Sequence, residues 1–312
     1  IQITESISEL HSNKIIHKDI NPSNIGFNSN SGEIKLFDLG IATEFSTEKL
    51  SVKSPGQIDG TLAYISPEQT GRTSRNLDYR TDFYSLGITF YELLTGQLPF
   101  QCFDPLELIH CHIAKPPSAP HIACPKIPKI ISNLVMKLIA KNAEDRYQSA
   151  GGIRADLDYC KKATLNNHLS ASQIQHLKLG KYDFYEEFTI PQKLYGREQA
   201  IEILLDTFHQ VALESFSACA SPTNIPYKTE SSSSNFILIS GSSGTGKSVL
   251  VKELCKPITE RKGYFITGKF SPLQHNIPYS AIVSAFSELI QQILGEPEEK
   301  LCQWKQKIFQ SL

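Results

Sequence analysis

His17-Lys-Asp-Ile-Asn-Pro-Ser-Asn24 is followed fourteen residues later by Asp38-Leu-Gly40. Gly60-Thr-Leu-Ala-Tyr-Ile-Ser-Pro-Glu68, Asp82-Phe-Tyr-Ser-Leu-Gly87 and Asp145-Arg146 come next. Taken alone, each of these acidic and amide residues reads as an ordinary surface turn residue. Their order and spacing together give the reading its force. Upstream, Ile3, Ile7 and Leu10 form an apolar stripe that predicts a helix to about residue 13. Short strands are expected at 15–17, 25–27 and 33–37, the last two joined through the polar turn Asn28-Ser-Asn-Ser-Gly32. A polar, Gly- and Pro-dotted stretch runs to about residue 79. Helical patterns follow at 79–95, 105–114, 127–141 and 149–162, separated by Gly96, Pro99, Pro116-Pro117 and Pro125. The sum is a helical lobe with a small β element at its front.

Residues 163–190 show little periodicity and read as a connector. A one-face stripe of Ile201, Leu204, Leu205, Phe208, Val211 and Ala212 predicts a helix over about 197–213. The polar, small-residue stretch 215–235 reads as a loop with no core to offer. Residues 236–240 open with the apolar run Phe236-Ile-Leu-Ile239 and read as a strand of a parallel sheet covered on both faces. They lead into Gly241-Ser242-Ser243-Gly244-Thr245-Gly246-Lys247-Ser248, which fits GxxxxGK[ST] in full. Such a loop cradles phosphates with its backbone N–H groups, aided by the dipole of the helix it opens. Lys247 is placed to reach the β- and γ-phosphates of ATP, and Ser248 to ligate Mg²⁺. A helix over 247–262, a strand at 264–267 and helices at about 279–294 and 297–311 complete the expected α/β unit.

A length of 312 residues favours two domains, and 40% hydrophobic with 20% charged residues is an ordinary globular mixture. Lys plus Arg number 31 and Asp plus Glu 32, a net charge of −1 that supplies no basic face for nucleic acid or an anionic membrane. Seven cysteines stand at 102, 111, 124, 160, 219, 255 and 302, with no CxxC pair. This odd count fits reduced thiols and predicts a cytoplasmic location. The denser group Cys102, His110, Cys111, His112, His121 and Cys124 matches no usual zinc-ligand spacing. No apolar run is long enough for a membrane span, and no signal peptide opens the chain. The chain starts at Ile1 and ends within a helical pattern, so both ends read as cut.

The first set of motifs resembles protein-kinase subdomains from the catalytic loop onward: HRDxxxxN, DFG, APE and the later Asp and Arg, in order. The resemblance implies that Asp19 orients or deprotonates a substrate hydroxyl, while Asn24 and Asp38 give oxygen ligands to Mg²⁺. It implies a buried ion bridge between Glu68 and Arg146, and a carboxylate at Asp82 that accepts hydrogen bonds from the catalytic-loop backbone. Thr61, ahead of Ser-Pro-Glu68, points to Ser/Thr rather than Tyr substrates. Three positions depart from the pattern. Lys18 replaces the Arg that clamps a phosphorylated activation loop, which puts that mode of control in doubt. Asn21 stands where a γ-phosphate-steadying Lys is usual, and Leu39 replaces Phe in the metal triplet. The glycine-rich lid and the phosphate-pairing lysine of a kinase N-lobe belong upstream of residue 1, so phosphotransfer is expected of a full-length parent rather than of this fragment.

Leu194-Tyr-Gly-Arg-Glu198 resembles the opening motif of AAA-type and STAND-type signalling ATPases, which implies that Tyr195, Gly196 and Arg197 lie near the nucleotide base. The Walker B aspartates of such a unit would lie beyond residue 312. The whole arrangement resembles the bacterial trifunctional serine/threonine kinase, ATP-binding and sensor histidine kinase proteins, which implies further signalling modules in the parent chain. The expected fold is therefore multidomain, α+β and α/β. A mainly helical kinase C-lobe would occupy 1–162, a linker 163–190 and the start of a P-loop ATPase 191–312. The expected activity is ATP- and Mg²⁺-dependent transfer to protein Ser/Thr, coupled to the P-loop module. The rival reading is a pseudokinase scaffold with a nucleotide-gated switch, motivated by Lys18 and Asn21. A nucleic-acid-remodelling ATPase is disfavoured by the near-zero charge.

Overall fold

In the computed structural model, the described residues are 1–45, 58–73, 75–165, 179–184, 196–217, 236–261, 263–270, 278–294, 296 and 298–311. Helix α1 (Gln2–Ser12) buries Ile3, Thr4, Ile7 and His11 along one face, the i, i+4 row that its stripe predicts. β1 (Ile15–Ile16) pairs antiparallel with β4 (Thr43–Glu44), which closes the segment between them into a lobed loop. Within that loop, β2 (Ile25–Asn28) and β3 (Glu33–Leu36) form an antiparallel hairpin with Phe27 opposite Ile34. Asn28 Oδ1 holds its turn by accepting from Asn30 N at 3.0 Å, and Gly32 takes the left-handed φ of 70° that the turn requires.

Helix α2 (Arg80–Thr95) is the axis of the lobe. Phe83, Tyr84, Leu86 and Ile88 are all 0% exposed, so over residues 80–89 it is covered on every side rather than amphipathic. Gly87 lets α5 (Lys129–Leu138) approach, because a Cβ there would lie 2.6 Å from both Ile139 Cγ2 and Leu138 Cβ. α3 (Pro105–Ile113) starts at Asp104, whose Oδ1 accepts from Leu106 N at 2.9 Å. α4 (Pro120–Ala123) is short, and α6 (Ala150–Leu165) lies against α1. The core joins Ile3, Ile7, Ile20, Phe83, Leu86, Leu134, Leu138, Tyr147 and Ile153.

Part of the expected connector is bound to this lobe. Asp183 accepts from Gln148 N at 2.9 Å and Ser149 N at 2.9 Å, which caps the N-terminus of α6 from a distant point in the chain. Gly180 N donates to Asp156 Oδ2 at 2.7 Å. The remaining connector positions, 166–178 and 185–190, lie outside the described residues.

α7 (Glu198–Ser217) covers the expected 197–213 helix. The helix expected over 247–262 is instead two, α8 (Lys247–Lys252) and α9 (Cys255–Glu260). Pro257 explains the break, because it has no N–H for the carbonyl of Glu253 and its ring crowds that oxygen. Glu253 N and Leu254 N turn to tighter bonds, with Leu250 O and Val251 O. Neither 236–240 nor 264–267 joins a ladder, so the parallel sheet expected there is not formed among the described residues. A strand persists through its neighbour's hydrogen bonds; 236–240 pairs with no described strand, and Phe236 and Leu238 are 89% and 79% exposed. α10 (Ser280–Leu294) and α11 (Glu298–Ser311) follow. α9 packs on α3 of the helical lobe. Beside it, buried Arg72 lies within electrostatic reach of Cys255, Tyr264 and Glu296, and burial pulls its pKa down. Among the described residues, no helix is long and apolar enough to cross a membrane.

Candidate functional site

The loop that carries Asp19 is held in a conformation its residues would not choose alone. Lys18 has φ of 69°, a left-handed value that costs a non-glycine residue about 1–2 kcal/mol. The surroundings fix it. Asp82, 0% exposed in the first turn of α2, accepts from Lys18 N at 2.8 Å and from His17 N at 3.0 Å. Its Oδ2 also meets His11 Nε2 at 2.8 Å. Gln69 Nε2 donates to Lys18 O at 2.8 Å, and Thr89 Oγ1 to Ile20 O at 3.2 Å. His17 Nε2 pairs with Phe37 O at 3.0 Å, which ties the loop to the segment carrying Asp38.

Asp19 lies at the centre of a small polar group. Its Oδ1 accepts from Thr61 N at 2.9 Å and its Oδ2 from Asn24 Nδ2 at 3.0 Å. Asn24 Nδ2 also donates to Asp19 O at 2.8 Å, so the amide oxygen of Asn24 is the face left for a ligand. Asn21 does double duty. Its Oδ1 caps the 3₁₀ turn Pro22–Asn24 by accepting from Ser23 N at 2.9 Å. Its Nδ2 donates to Asp19 O and to Thr61 Oγ1, each at 3.3 Å. Asp38 takes φ of 65°, is exposed, and accepts from Gly40 N at 3.0 Å rather than meeting Asp19 or Asn24. Its neighbour Phe37 N donates to Asn24 O at 2.8 Å, so the backbone brings the Asp38 segment alongside Asn24. Carboxylate and amide oxygens are the donor types that Mg²⁺ takes, and of the three expected residues the structure joins Asp19 to Asn24 directly while Asp38 points to its own turn. Leu39 is 52% exposed and packs no core.

Behind this group, Arg146 and Glu68 meet in a buried fork, with Nη1 to Oε1 at 2.6 Å and Nη2 to Oε2 at 2.9 Å. Burial would raise the Glu68 pKa, but the Arg146 charge and hydrogen bonds outweigh it and hold the carboxyl below its usual value. Lys141 caps the C-terminal end of α3, donating to Cys111 O and His112 O at 2.8 Å each. Burial pulls its pKa down to about 7. The cysteine and histidine group at 102–124 divides among separate partners. His112 pairs with Tyr84 Oη at 3.0 Å, and burial drives its pKa to about 3, while His121 pairs with Ser132 Oγ at 2.7 Å. Among the described residues, no three His, Cys, Asp or Glu side chains are grouped to hold a metal ion.

The glycine loop forms a second, open site. Gly244 and Gly246 both have φ of 82°, and Gly246 leads into Lys247, the first residue of α8. A Cβ added at Gly244 would meet nothing, so this side of the loop is open. Gly241, Ser242, Ser243 and Ser248 are exposed. Thr245 Oγ1 donates to Ser242 O at 2.9 Å and stiffens the loop. Lys247 Nζ donates to Gly241 O at 2.8 Å and Ser242 O at 2.6 Å, which parks the ammonium at the loop with one donor to spare. Arg197 Nη2 donates to Thr245 O at 3.1 Å, so the Tyr-Gly-Arg-Glu segment reaches the loop from 48 positions upstream. Gly196 N donates to Glu198 Oε1 at 3.3 Å, and Tyr195 lies outside the described residues.

Sequence reasoning missed His11, Gln69 and the bridging role of Asn21. His11 was open to discovery, because it continues the Ile3–Ile7 row where a polar residue must find a buried partner. Gln69 carries no motif signal.

These two sites coincide with two family matches. Residues 1–155 match the protein kinase domain and residues 225–311 the AAA ATPase domain. The kinase-like and ATPase-like motifs thus fall within the two matched segments, one after the other along the chain. Over 268 residues it is 38% identical to hybrid signal transduction histidine kinase G of Dictyostelium discoideum, which covers 81% of this chain and 7% of that protein. It is 30% identical to the peroxide stress-activated histidine kinase mak3 of Schizosaccharomyces pombe, over 96% of this chain and 13% of that protein. The serine/threonine-protein kinase PknB of Mycobacterium tuberculosis is 37% identical over 153 residues, 49% of this chain and 24% of PknB. The chain therefore spans a small part of the length of each of these relatives.

Proposed function

We propose that the chain contributes the catalytic half of a Ser/Thr phosphotransfer centre, and a separate ATP-binding loop, to a longer signalling protein resembling these relatives. The observation that carries this reading is the group of Asp19, Asn24 and Thr61 on a loop held by Asp82. Asp19 would orient the substrate hydroxyl and take its proton as transfer proceeds. Mg²⁺, held by Asn24 and Asp38, would supply charge neutralisation for the phosphates. Thr61, bound to both Asp19 and Asn21, would set the floor on which a hydroxyl-bearing segment lies. Gly241 to Ser248 would hold a second ATP, with Lys247 and Ser248 toward its phosphates and magnesium, and with Arg197 and Tyr195 on its base side. In domain terms, a kinase C-lobe over 1–162 and an ATPase unit over 191–312 flank the linker 163–190.

The bacterial trifunctional organisation is the narrower form of the proposal. The alignment of histidine kinases from a slime mould and a yeast over most of the chain supports the module order alone. A scaffold that binds ATP but transfers nothing is the second reading. It rests on Asn21, whose side chain is spent on the turn and on Thr61 where kinases hold a lysine. Radiolabelled phosphotransfer by the longer protein, with Asp19→Ala as control, separates the two. Transfer lost in the variant supports the kinase reading, and equal signal from both ends it.

A further inference from the structure

Two thiols outside both sites lie against each other at helix α3. Cys102 Sγ sits 3.5 Å from Cys111 Sγ. Cys102 is half-buried in the loop just ahead of the helix cap, whereas Cys111 is 2% exposed toward the far end of the helix. Backbone features set this approach. Asp104 caps the helix, and Pro105 fixes its first turn, so the loop folds back along the helix and lays one sulfur on the other. A disulfide needs its sulfurs about 2.05 Å apart, so closure asks for a movement of roughly 1.5 Å, within reach of small side-chain rotations.

We propose that Cys102 and Cys111 form an oxidative modification site, converted by a hydroperoxide into an intrachain disulfide. In the first step the Cys102 sulfur attacks the peroxide. An S–O bond forms, the O–O bond breaks, and an alcohol or water leaves with the thiol proton, which leaves Cys102 as a sulfenic acid. In the second step the Cys111 sulfur attacks the Cys102 sulfur. The S–S bond forms, the S–O bond breaks, and the hydroxyl leaves as water with the Cys111 proton. Two thiols are oxidised and one peroxide is reduced.

The order follows from access. Only Cys102 is open enough to meet a peroxide in solution. Burial, with the Cys102 contact adding to it, raises the Cys111 thiol to about 11, which makes it a poor first nucleophile. It is still suited to attack a sulfur it already touches, because proximity removes the encounter cost. The location matters too. Ile109 and Ile113 of α3 pack with Ile58 and Ile65, which flank Thr61, and α3 also carries α9 of the P-loop side. A bond across α3 would therefore tie down the helix shared by both candidate nucleotide sites.

The inference does not rest on the phosphotransfer proposal and is tested without it. The folded protein is treated with hydrogen peroxide in the presence of dimedone and digested with Glu-C without reductant. Cleavage after Glu107 separates the two cysteines. The expected result is a Cys102–Cys111 linked peptide pair that forms before the exposed Cys302 is oxidised. Cys102→Ser, at the half-buried position, should keep the fold, abolish the link and leave Cys111 unmodified. Cys111→Ser should leave Cys102 trapped as its dimedone adduct. Oxidation of Cys302 with no link formed would overturn the proposal. So would dimedone capture of Cys102 in the unsubstituted protein without any linkage to Cys111.

Discussion

Replacing Arg146 by Met should destabilise the helical lobe more than any surface substitution, and the contacts on the guanidinium set the size of the effect. Every donor of Arg146 is used: two bonds to the Glu68 carboxylate, one to Arg80 O at 3.1 Å, one to Lys141 O at 3.0 Å and one from Nε to Ala140 O at 2.7 Å. Both partners are shut from solvent, with side chains 0% and 2% exposed. Removing one member of a buried pair costs about 3–5 kcal/mol, and each orphaned carbonyl adds about 1 kcal/mol unless water reaches it. The expected loss is about 4–8 kcal/mol, comparable with the whole stability of an ordinary domain. Glu68→Gln/Arg146→Met should lose less than the two single losses combined, because no unpaired charge remains. Urea denaturation followed by circular dichroism reads both values. Because the Glu68 carboxyl is held low, its contribution is present above the unfolded-state value near 4.5 and is lost as pH falls through the lower folded value. An Arg146→Met variant within about 1 kcal/mol of the parent, at unchanged m-value, would refute this reasoning.

Asp19→Asn should reduce phosphotransfer by about 10²–10⁴-fold while leaving the unfolding midpoint near the parent's, measured by radiolabel incorporation and thermal melting. Lys247→Ala should weaken ATP binding at the glycine loop by about 10–100-fold, the worth of one or two charge-assisted bonds, measured by titration calorimetry. Asp183→Ala should cost about 1–2 kcal/mol by uncapping α6, and hydrogen exchange should show its first turn opening faster. Lys141 gives a pH signature. Its folded pKa of about 7 lies below the ordinary 10.5, so between these values the unfolded chain binds a proton that the folded one does not. Stability should therefore fall from pH 9 to pH 7 by at most about 1.4 kcal/mol per unit, and Lys141→Met should flatten that slope.

The helical lobe was readable because its elements carry strong local signals. The Ile3–Ile7 row, the Asn28–Gly32 turn and the proline and glycine stops all act within a few residues. Asp82 and Arg146 were found through their motifs, not through any local pattern, because their partners lie 64 to 78 positions away in the chain. What failed was of another kind. The break between α8 and α9 was visible in Pro257 but was outweighed by the surrounding helical pattern. The apolar run 236–239 spoke for burial in a sheet, yet a strand depends on partners that its own residues do not encode. Asn21 was read as a missing charge. The fold uses it instead as a cap and a bridge, a role that depends on Thr61 arriving from 40 positions away.

The proposed function requires magnesium and nucleotide to be held at two separate places, one built from side-chain oxygens and one from a glycine loop. Titration of the longer protein with magnesium and ATP, compared with Asp38→Ala and Lys247→Ala, decides whether they are. Each variant is predicted to lose one nucleotide site relative to the parent, with phosphotransfer to Ser/Thr lost only in Asp38→Ala. An unchanged number of sites in either variant would contradict two-site binding.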